Sequence, residues 1–335
     1  MLEKKYMGAW LASLFGTLAA GPGCAGDFQD NPDTRAFIEE MEQRHQFDRE
    51  ELEALFEQAK KRDDILEAIS RPAEKTKPWH EYRSIFLTPK RIDGGVSFWK
   101  ENADILKRAE QAYGVDAAVI VAIIGVETRY GANTGSYRVI DALSTLAFEY
   151  PPRSKFFRSE LEQFLILARE EDVDVRKAKG SYAGAMGYGQ FIPSSYRAYA
   201  VDFSKDGKRD LWGNMDDIIG SVANYFQRHD WQAGKPVASR VSGNAPASGF
   251  QVSENIKPGK KTAGDYAQAG ITTDPPLPAD QAVALLEFEQ TNGPEYWLTT
   301  KNFYVITRYN RSPLYAMAVY QLSKAIQEAY QKDGS

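Results

Sequence analysis

Ten consecutive residues, Ala117 to Val126 (AAVIVAIIGV), carry nothing that can ionise, and Glu127 follows at once, with Thr128, Arg129, Tyr130 and the stop signal Gly131 behind it. A helix that is apolar all round belongs inside a core rather than on a surface. Glu127 then sits at the C-terminal end of that helix. An apolar environment disfavours a charged carboxylate, and the partial negative charge of a helix C-terminus acts the same way. Both favour a carboxyl that keeps its proton at neutral pH, as a general acid must. The plainer reading is a structural glutamate paired with Arg129 or another cation.

A second segment, KGSYAGAMGYGQFIPSSYRAYA, spaces Gly180, Gly184, Gly187 and Gly189 among Tyr182, Tyr188, Phe191 and Tyr196. Glycines let a ligand or another backbone approach closely, and aromatic faces suit the stacking of a sugar. Gln190 between them can fix a hydroxyl or an amide. A glycine-eased packing contact is the alternative.

The formal charge is -5 and no Lys/Arg stripe stands out, which argues against nucleic acid as a partner. Lys4 and Lys5 precede an apolar stretch from about Met7 to Ala20, then small residues: the layout of a secretory signal, too short to span a bilayer. The mature chain is therefore expected outside the cytoplasm. Cys24 is the only cysteine, so an intrachain disulfide is excluded. It stands where processing would occur, and two readings remain open: a lipidated bacterial lipoprotein cysteine, or an incidental residue of a cleaved leader.

After residues 1–24, residues 25–34 read as a polar linker. Helical spacing of Phe37, Ile38, Met41, Leu52, Leu55, Phe56, Ile65, Leu66 and Ile69 predicts short helices, ended near Arg71 by Pro72. KPWHEYRSIFLTPKRIDGG reads as irregular, followed by a helix over about 95–113. Further helices are expected near 139–149, near 156–171 and at DDIIGSVANYFQRH. Residues 233–280 are rich in Gly, Ala, Pro, Ser and Lys, and AVALLEFEQ and EYWLT have strand patterns. SPLYAMAVYQLSKAIQEAY returns to an amphipathic helix. The fold class expected is mainly α (α+β): an N-terminal helical domain (35–112), a helical core (113–232), a small β-containing domain (233–300) and a C-terminal segment (301–335) that closes the helical body.

DFSKDGKRDLWGNMDD opens like a calcium loop, with Asp202, Ser204 and Asp206 at positions 1, 3 and 5, Gly207 at 6 and Asp210 at 9. Alternate oxygen ligands with a glycine at the bend are what a hard cation needs. Position 12 is Gly213, so Asp216 or Asp217 must close the site from the next helix. Lys205, Lys208 and Arg209 weaken the case if they turn inward, and a solvated Asp-Gly turn is the alternative. His45, His80 and His229 lack metal-ligand spacing, which argues against a zinc hydrolase.

Five motifs in order, GVETRYG, GAMGYGQFIPSSY, DFSKDGKRDLW, GSVANYF and ITRYNRSPLYAMAV, resemble the membrane-bound lytic murein transglycosylase B family, bacterial enzymes that cut peptidoglycan. The resemblance covers most of residues 35–330 and implies a lysozyme-like core (113–232) with Glu127 as its one catalytic acid. It further implies that Gln190, Tyr225, Tyr309, Asn310 and Tyr315 line a glycan cleft. Tyr82, Ser181, Tyr182 and Phe191 join them on looser matches. Arg153 falls where the family has a basic residue near stem-peptide or sugar carboxyl groups, although Pro152 stands where a second arginine is usual. The loop resembles the family's EF-hand-like calcium site (202–217), with Asp202, Ser204, Asp206, the Lys208 carbonyl and Asp216 as ligands of a structural Ca2+. No catalytic cofactor is implied. Peptidoglycan strands are the expected partner, with an outer-membrane lipid anchor through Cys24 and contacts to other cell-wall enzymes; the expected compartment is the periplasm.

Most glycosidases use two carboxylates. No second acid lies in the motifs around Glu127, and one suffices if the substrate's own C6 hydroxyl is the nucleophile, giving a 1,6-anhydromuramoyl end. Two alternatives remain: a lysozyme-type hydrolase with a distant second acid, and a non-catalytic peptidoglycan-binding protein that keeps the cleft.

Overall fold

Phe28 has no solvent exposure, although it lies in the stretch that reads as a polar linker. Its ring packs edge-on against Phe148, and Phe37 and Phe56 complete the cluster. One apolar ring is enough to tie a polar run to the body, and the linker expectation is corrected here. The computed structural model describes residues 26–70, 77–242 and 252–333; the leader and Cys24 lie outside the described residues.

Helix α1 (Pro32–His45) starts inside that same stretch, where the Asn31 side chain accepts from Asp33 N. Helices α2 (Arg49–Gln58) and α3 (Asp63–Ile69) follow. Their buried residues merge into one apolar core with the later helices instead of closing a core of their own.

The segment that reads as irregular is helical. Helix α4 (Trp79–Phe86) leads into α5 (Pro89–Glu101), where Thr88 caps Arg91 N and Pro89 occupies the first turn. The single helix expected over 95–113 is two. Asn102 ends α5, its Nδ2 donating 2.9 Å to the Phe98 carbonyl, and α6 runs Ala103–Tyr113. A side chain that bonds backward to the backbone competes with helix continuation.

Helix α7 (Ala117–Thr128) is buried at every residue except Glu127. It is enclosed by α5, α6, α11 (Met215–Arg228) and α14 (Pro313–Asp333). Each fully buried Val or Ile contributes about 1.5–3 kcal/mol, so the apolar run both requires these neighbours and holds them. Around this axis lie α8 (Val139–Glu149), α9 (Ser154–Glu171) and α10 (Pro193–Tyr199). A two-stranded antiparallel sheet, β1 (Tyr137–Arg138) with β2 (Lys179–Gly180), carries the glycine-rich segment through bridges from Met186 to Gly180 and Phe191.

The small β unit is an antiparallel sheet in the order β4 (Thr273–Asp274), β3 (Ala238–Val241), β6 (Gly293–Thr299), β5 (Ala284–Gln290), with α12 (Ala263–Gln268) beside it. It has a separate apolar core of Val241, Ala263, Tyr266, Ile271, Val283, Leu285 and Leu298. Trp79 docks it to α4, ring against Phe288 and Nε1 donating 3.0 Å to Glu295. The Tyr320 hydroxyl ties α14 to the Ala238 carbonyl at 2.8 Å. The chain leaves the sheet into α13 (Lys301–Tyr309) and then α14, which returns along α7 and faces Glu127.

Candidate active site

At the end of α7, Arg129, Tyr130 and Gly131 adopt positive φ of 53°, 60° and 88°, which turns the chain sharply away. Thr128, fully buried, staples this turn to the glycine-rich segment. Its Oγ1 accepts from Gly131 N at 3.0 Å and lies within donating distance of the Ile124 and Tyr188 carbonyls. Arg91 approaches from α5: its guanidinium donates to the Gly125 carbonyl at 2.5 Å, and the Tyr130 hydroxyl donates 2.7 Å to the Arg91 carbonyl. The Gly125 carbonyl also accepts from Arg129 N at 3.2 Å, so the guanidinium adds a second, charged donor at the negative end of the helix. Burial, then the charge of Arg129, pushes the Arg91 guanidinium below its usual range.

Glu127 opens onto a cleft of about 360 Å³. The glycine-rich segment brings Ser181, Tyr182, Gln190 and Phe191 to it, and α11 and α13 bring Tyr225, Tyr309 and Asn310. Among the described residues lining it, Glu127 is the only carboxylic acid. Tyr315 stands behind the acid, its hydroxyl donating to Glu127 Oε1 at 2.5 Å. Burial first, and the Glu127 charge next, hold the hydroxyls of Tyr309 and Tyr315 well above the ordinary phenol range, so both stay protonated donors. Tyr82 is buried beside this cluster, with its ring 5.2 Å from that of Phe86.

Several of these hydroxyls are committed to the protein itself. Tyr309 donates to the Gly189 carbonyl and Tyr225 to the Arg308 carbonyl, each at 2.6 Å. Burial raises the Tyr225 hydroxyl as well. These tyrosines therefore offer ring surface while their hydroxyls lock α11, α13 and the glycine-rich segment together. Gln190, at φ 51°, donates to the Thr134 and Gly187 carbonyls at 3.1 and 2.9 Å. Ser181 Oγ accepts from Ala183 N and Ala185 N.

Arg153 does not line this cleft among the described residues. Its guanidinium lies over the rings of Phe156 and Phe157, at 4.3 and 5.0 Å from their centroids, because the turn Pro151–Arg153 aims it at the first turn of α9. The cation that does reach the cleft is Arg308, with Ser195 and Ile192 also on its wall. Sequence reading passed over all three; for Arg308 the only signal was its place next to Tyr309.

In the acidic loop, carboxylate oxygens of Asp202, Asp206 and Asp217 lie within 4.8 Å of one another. Asp202 accepts from Asp206 N and Gly207 N, and Ser204 Oγ lies 3.2 Å from it. Asp216 does not share this cluster: it is bonded to Arg108 on α6, which draws it off the loop. Asp217, fully buried, takes the inner place and accepts from Phe203 N, Ser204 N and Asp210 N. Lys208 pairs with Asp172, and Arg209 with Glu170 and Glu171, so both positive side chains turn outward onto the end of α9. The remaining donors are oxygens at alternate positions, a set that fits a hard cation.

The transglycosylase SLT domain matches residues 29–324. The chain is 47% identical over 312 residues to membrane-bound lytic murein transglycosylase B of Escherichia coli (strain K12), covering 90% of this chain and 84% of that protein. The crystal structure of soluble lytic transglycosylase SltB1 from Pseudomonas aeruginosa superposes with a TM-score of 0.83 at 51% identity, over 89% of this chain and 99% of that one. The Escherichia coli lytic transglycosylase Slt35 in complex with calcium gives 0.82 at 46% identity, over 91% and 96%. Fold and site together define a lysozyme-like lytic transglycosylase. The chain belongs to the transglycosylase SLT-domain family.

Proposed function

We propose that Glu127 is the single acid and base with which this chain, a peptidoglycan-cleaving lytic transglycosylase, breaks the β-1,4 bond between N-acetylmuramic acid and N-acetylglucosamine. The observation that carries the assignment is that Glu127 is the lone carboxyl among the described residues lining the cleft, oriented by Tyr315. Glu127 donates its proton to the bridging oxygen as the C1–O bond breaks, and positive charge develops at C1, stabilised by the substrate's N-acetyl group. Glu127, now a carboxylate, takes the proton of the muramoyl C6 hydroxyl, whose oxygen bonds to C1 and closes the 1,6-anhydro ring. The tethered hydroxyl outcompetes bulk water through its effective concentration. Tyr315 can donate to the carboxyl in both of its states, which keeps it aimed through the cycle.

Digestion of purified sacculi, with product masses recorded, tests this. Wild type should release muropeptides one water lighter than hydrolysis gives, and Glu127→Gln should release them at least about 10²–10⁴-fold more slowly, the worth of general acid–base catalysis. Hydrated reducing ends would mean a hydrolase with a second acid. Absence of any cleavage by wild type would leave a binding protein.

The loop is assigned a structural Ca2+ held by Asp202, Ser204, Asp206, the Lys208 carbonyl and Asp216. Support comes from the oxygen-only donor set, the outward turn of Lys208 and Arg209, and the kinship with a calcium-bound structure. Asp217 already accepts three backbone N–H bonds and so shapes the loop; Asp216 is the acid free to exchange a surface ion pair for the metal. The ion contributes stability and takes no part in bond breaking. The chain's expected compartment is the periplasm, supported by the kinship with a membrane-bound transglycosylase, with an outer-membrane anchor if Cys24 carries lipid. Mass spectrometry of the exported protein decides the lipid.

A further inference from the structure

On the wall of the cleft, Arg308 is a cation with no acidic partner among the described residues. Tyr225 fixes its backbone carbonyl, yet among the described residues the side chain makes a single hydrogen bond, Nη2 to Thr307 Oγ1 at 3.1 Å. A guanidinium has five N–H donors. Its Nε is buried without an acceptor, and no carboxylate among the described residues pairs with it. Stacking on the Tyr304 ring, 4.3 Å from the centroid, holds the head group at the edge of the cleft.

Two more cations approach the same ring. Lys301 is neutralised by Asp230. Lys257, 5.8 Å from the centroid, has no acid paired with it among the described residues. The cleft wall carries the acid Glu127 and the cation Arg308; the Tyr304 ring on which Arg308 stacks lines a neighbouring pocket with Lys257, which makes that rim positive. A helix-terminal arginine that served only its own helix would spend its donors on the last carbonyls of α13, and Arg308 bonds a hydroxyl instead.

We propose that Arg308 is a specificity residue that binds a carboxylate of the glycan substrate next to the scissile bond, through its unused guanidinium donors and the positive rim at Tyr304. A planar guanidinium matches a carboxylate with two parallel hydrogen bonds, which an ammonium cannot do. In peptidoglycan that carboxylate has two sources: the stem peptide, or the lactyl group of muramic acid once the stem has been removed. The inference rests on the cleft being the glycan site, as assigned above, and it gives that site a requirement for negative charge on the sugar strand. Arg153, stacked on Phe156, does not compete for this role.

The test compares wild type, Arg308→Met and Arg308→Lys, all as the full chain, on three strands. One bears intact stems, one has been stripped by an amidase to expose the lactyl carboxylate, and one is the stripped strand with that carboxylate capped as its methylamide. On the strand whose carboxylate Arg308 meets, Arg308→Met should raise KM about 10–100-fold, the worth of a charged hydrogen bond. With kcat kept within about twofold, this is loss of uniform binding. Arg308→Lys should recover part of the affinity, and wild type should lose its advantage on the methylamide strand. A loss confined to stem-bearing strands assigns the stem carboxylate; one confined to stripped strands assigns the lactyl group. Equal KM for wild type and Arg308→Met on all three strands overturns the proposal, as does an equal rise on the neutral strand. If wild type forms no anhydro ends, it is the catalytic assignment that fails. Calorimetric titration of the three strands into Glu127→Gln, with and without Arg308→Met, then decides the carboxylate site by the same comparison.

Discussion

The hydroxyl of Tyr315 on α14 donates to Oε1 of Glu127 on α7 across 2.5 Å, joining residues 188 positions apart. The acid comes with the buried helix, and its aim comes from a helix at the other end of the chain. Tyr315→Phe removes only the oxygen. It should lower kcat about 10–100-fold, the worth of a hydrogen bond to an ionised group. Release of anhydromuropeptides under saturating substrate measures it, and a variant with unchanged kcat would deny the hydroxyl its orienting role.

Gly187 sits at a tight turn of the glycine-rich wall. Its φ is 68°, a Cβ there would lie 2.2 Å from the Leu211 carbonyl oxygen, and its own carbonyl accepts from Gln190. Gly234 has a similar φ of 67° but open space around it. Gly187→Ala should therefore cost more than the roughly 1 kcal/mol of left-handed strain expected for Gly234→Ala. It alone should also impair cleavage. Denaturant unfolding of the two variants makes the comparison, and equal losses would mean the carbonyl contact relaxes freely.

For the acidic loop, calcium at about 100 times its dissociation constant should stabilise the chain by about 2.7 kcal/mol. Asp216→Asn should keep the metal-free melting temperature and lose most of that shift. Asp217→Asn should lower the metal-free melting temperature, because three backbone N–H groups lose a charged acceptor. The reverse pattern would make Asp217 the exchangeable ligand. No calcium shift in wild type would remove the ion altogether.

Asp116, at the start of α7, shares a cleft with Lys235 and Lys324. Burial raises its carboxyl above the ordinary range against the pull of Lys324, and burial and then Asp116 raise Glu110. The fold thus favours the protonated form. Its stabilising contribution is complete below the ordinary aspartate value of about 3.9 and is lost as pH rises through the higher folded value. Asp116→Asn keeps the shape of the side chain, which makes no capping hydrogen bond to α7, and removes its charge. It should melt with wild type near pH 4 and above it at neutral pH, by calorimetry; no gain at neutral pH would show that the charge is solvated.

Local chemistry was legible in the sequence wherever it repeats within a few residues. The apolar run before Glu127, the Asp–Ser–Asp–Gly spacing of the loop and the hairpin strands Ala284–Gln290 and Gly293–Thr299 rest on helix period, turn chemistry and alternation. The break at Asn102 and the helix from Trp79 escaped that reading, since a capping bond outweighed a continuous pattern in one case and Pro89 and Thr88 began a helix in the other.

By itself the sequence determined that a carboxylate would end a helix with no polar face, and that glycines and aromatic rings would gather in one short segment. Only the tertiary structure decided which partner each side chain meets. It turned the Tyr225 and Tyr309 hydroxyls onto backbone carbonyls, sent Arg153 to Phe156, drew Asp216 to Arg108, brought Arg308 into the cleft and merged the N-terminal helices into one core. The reason is physical. A helix or a turn is set by neighbours a few residues away, whereas a hydrogen bond or an ion pair forms with whatever group the packing of distant segments leaves within about 3 Å.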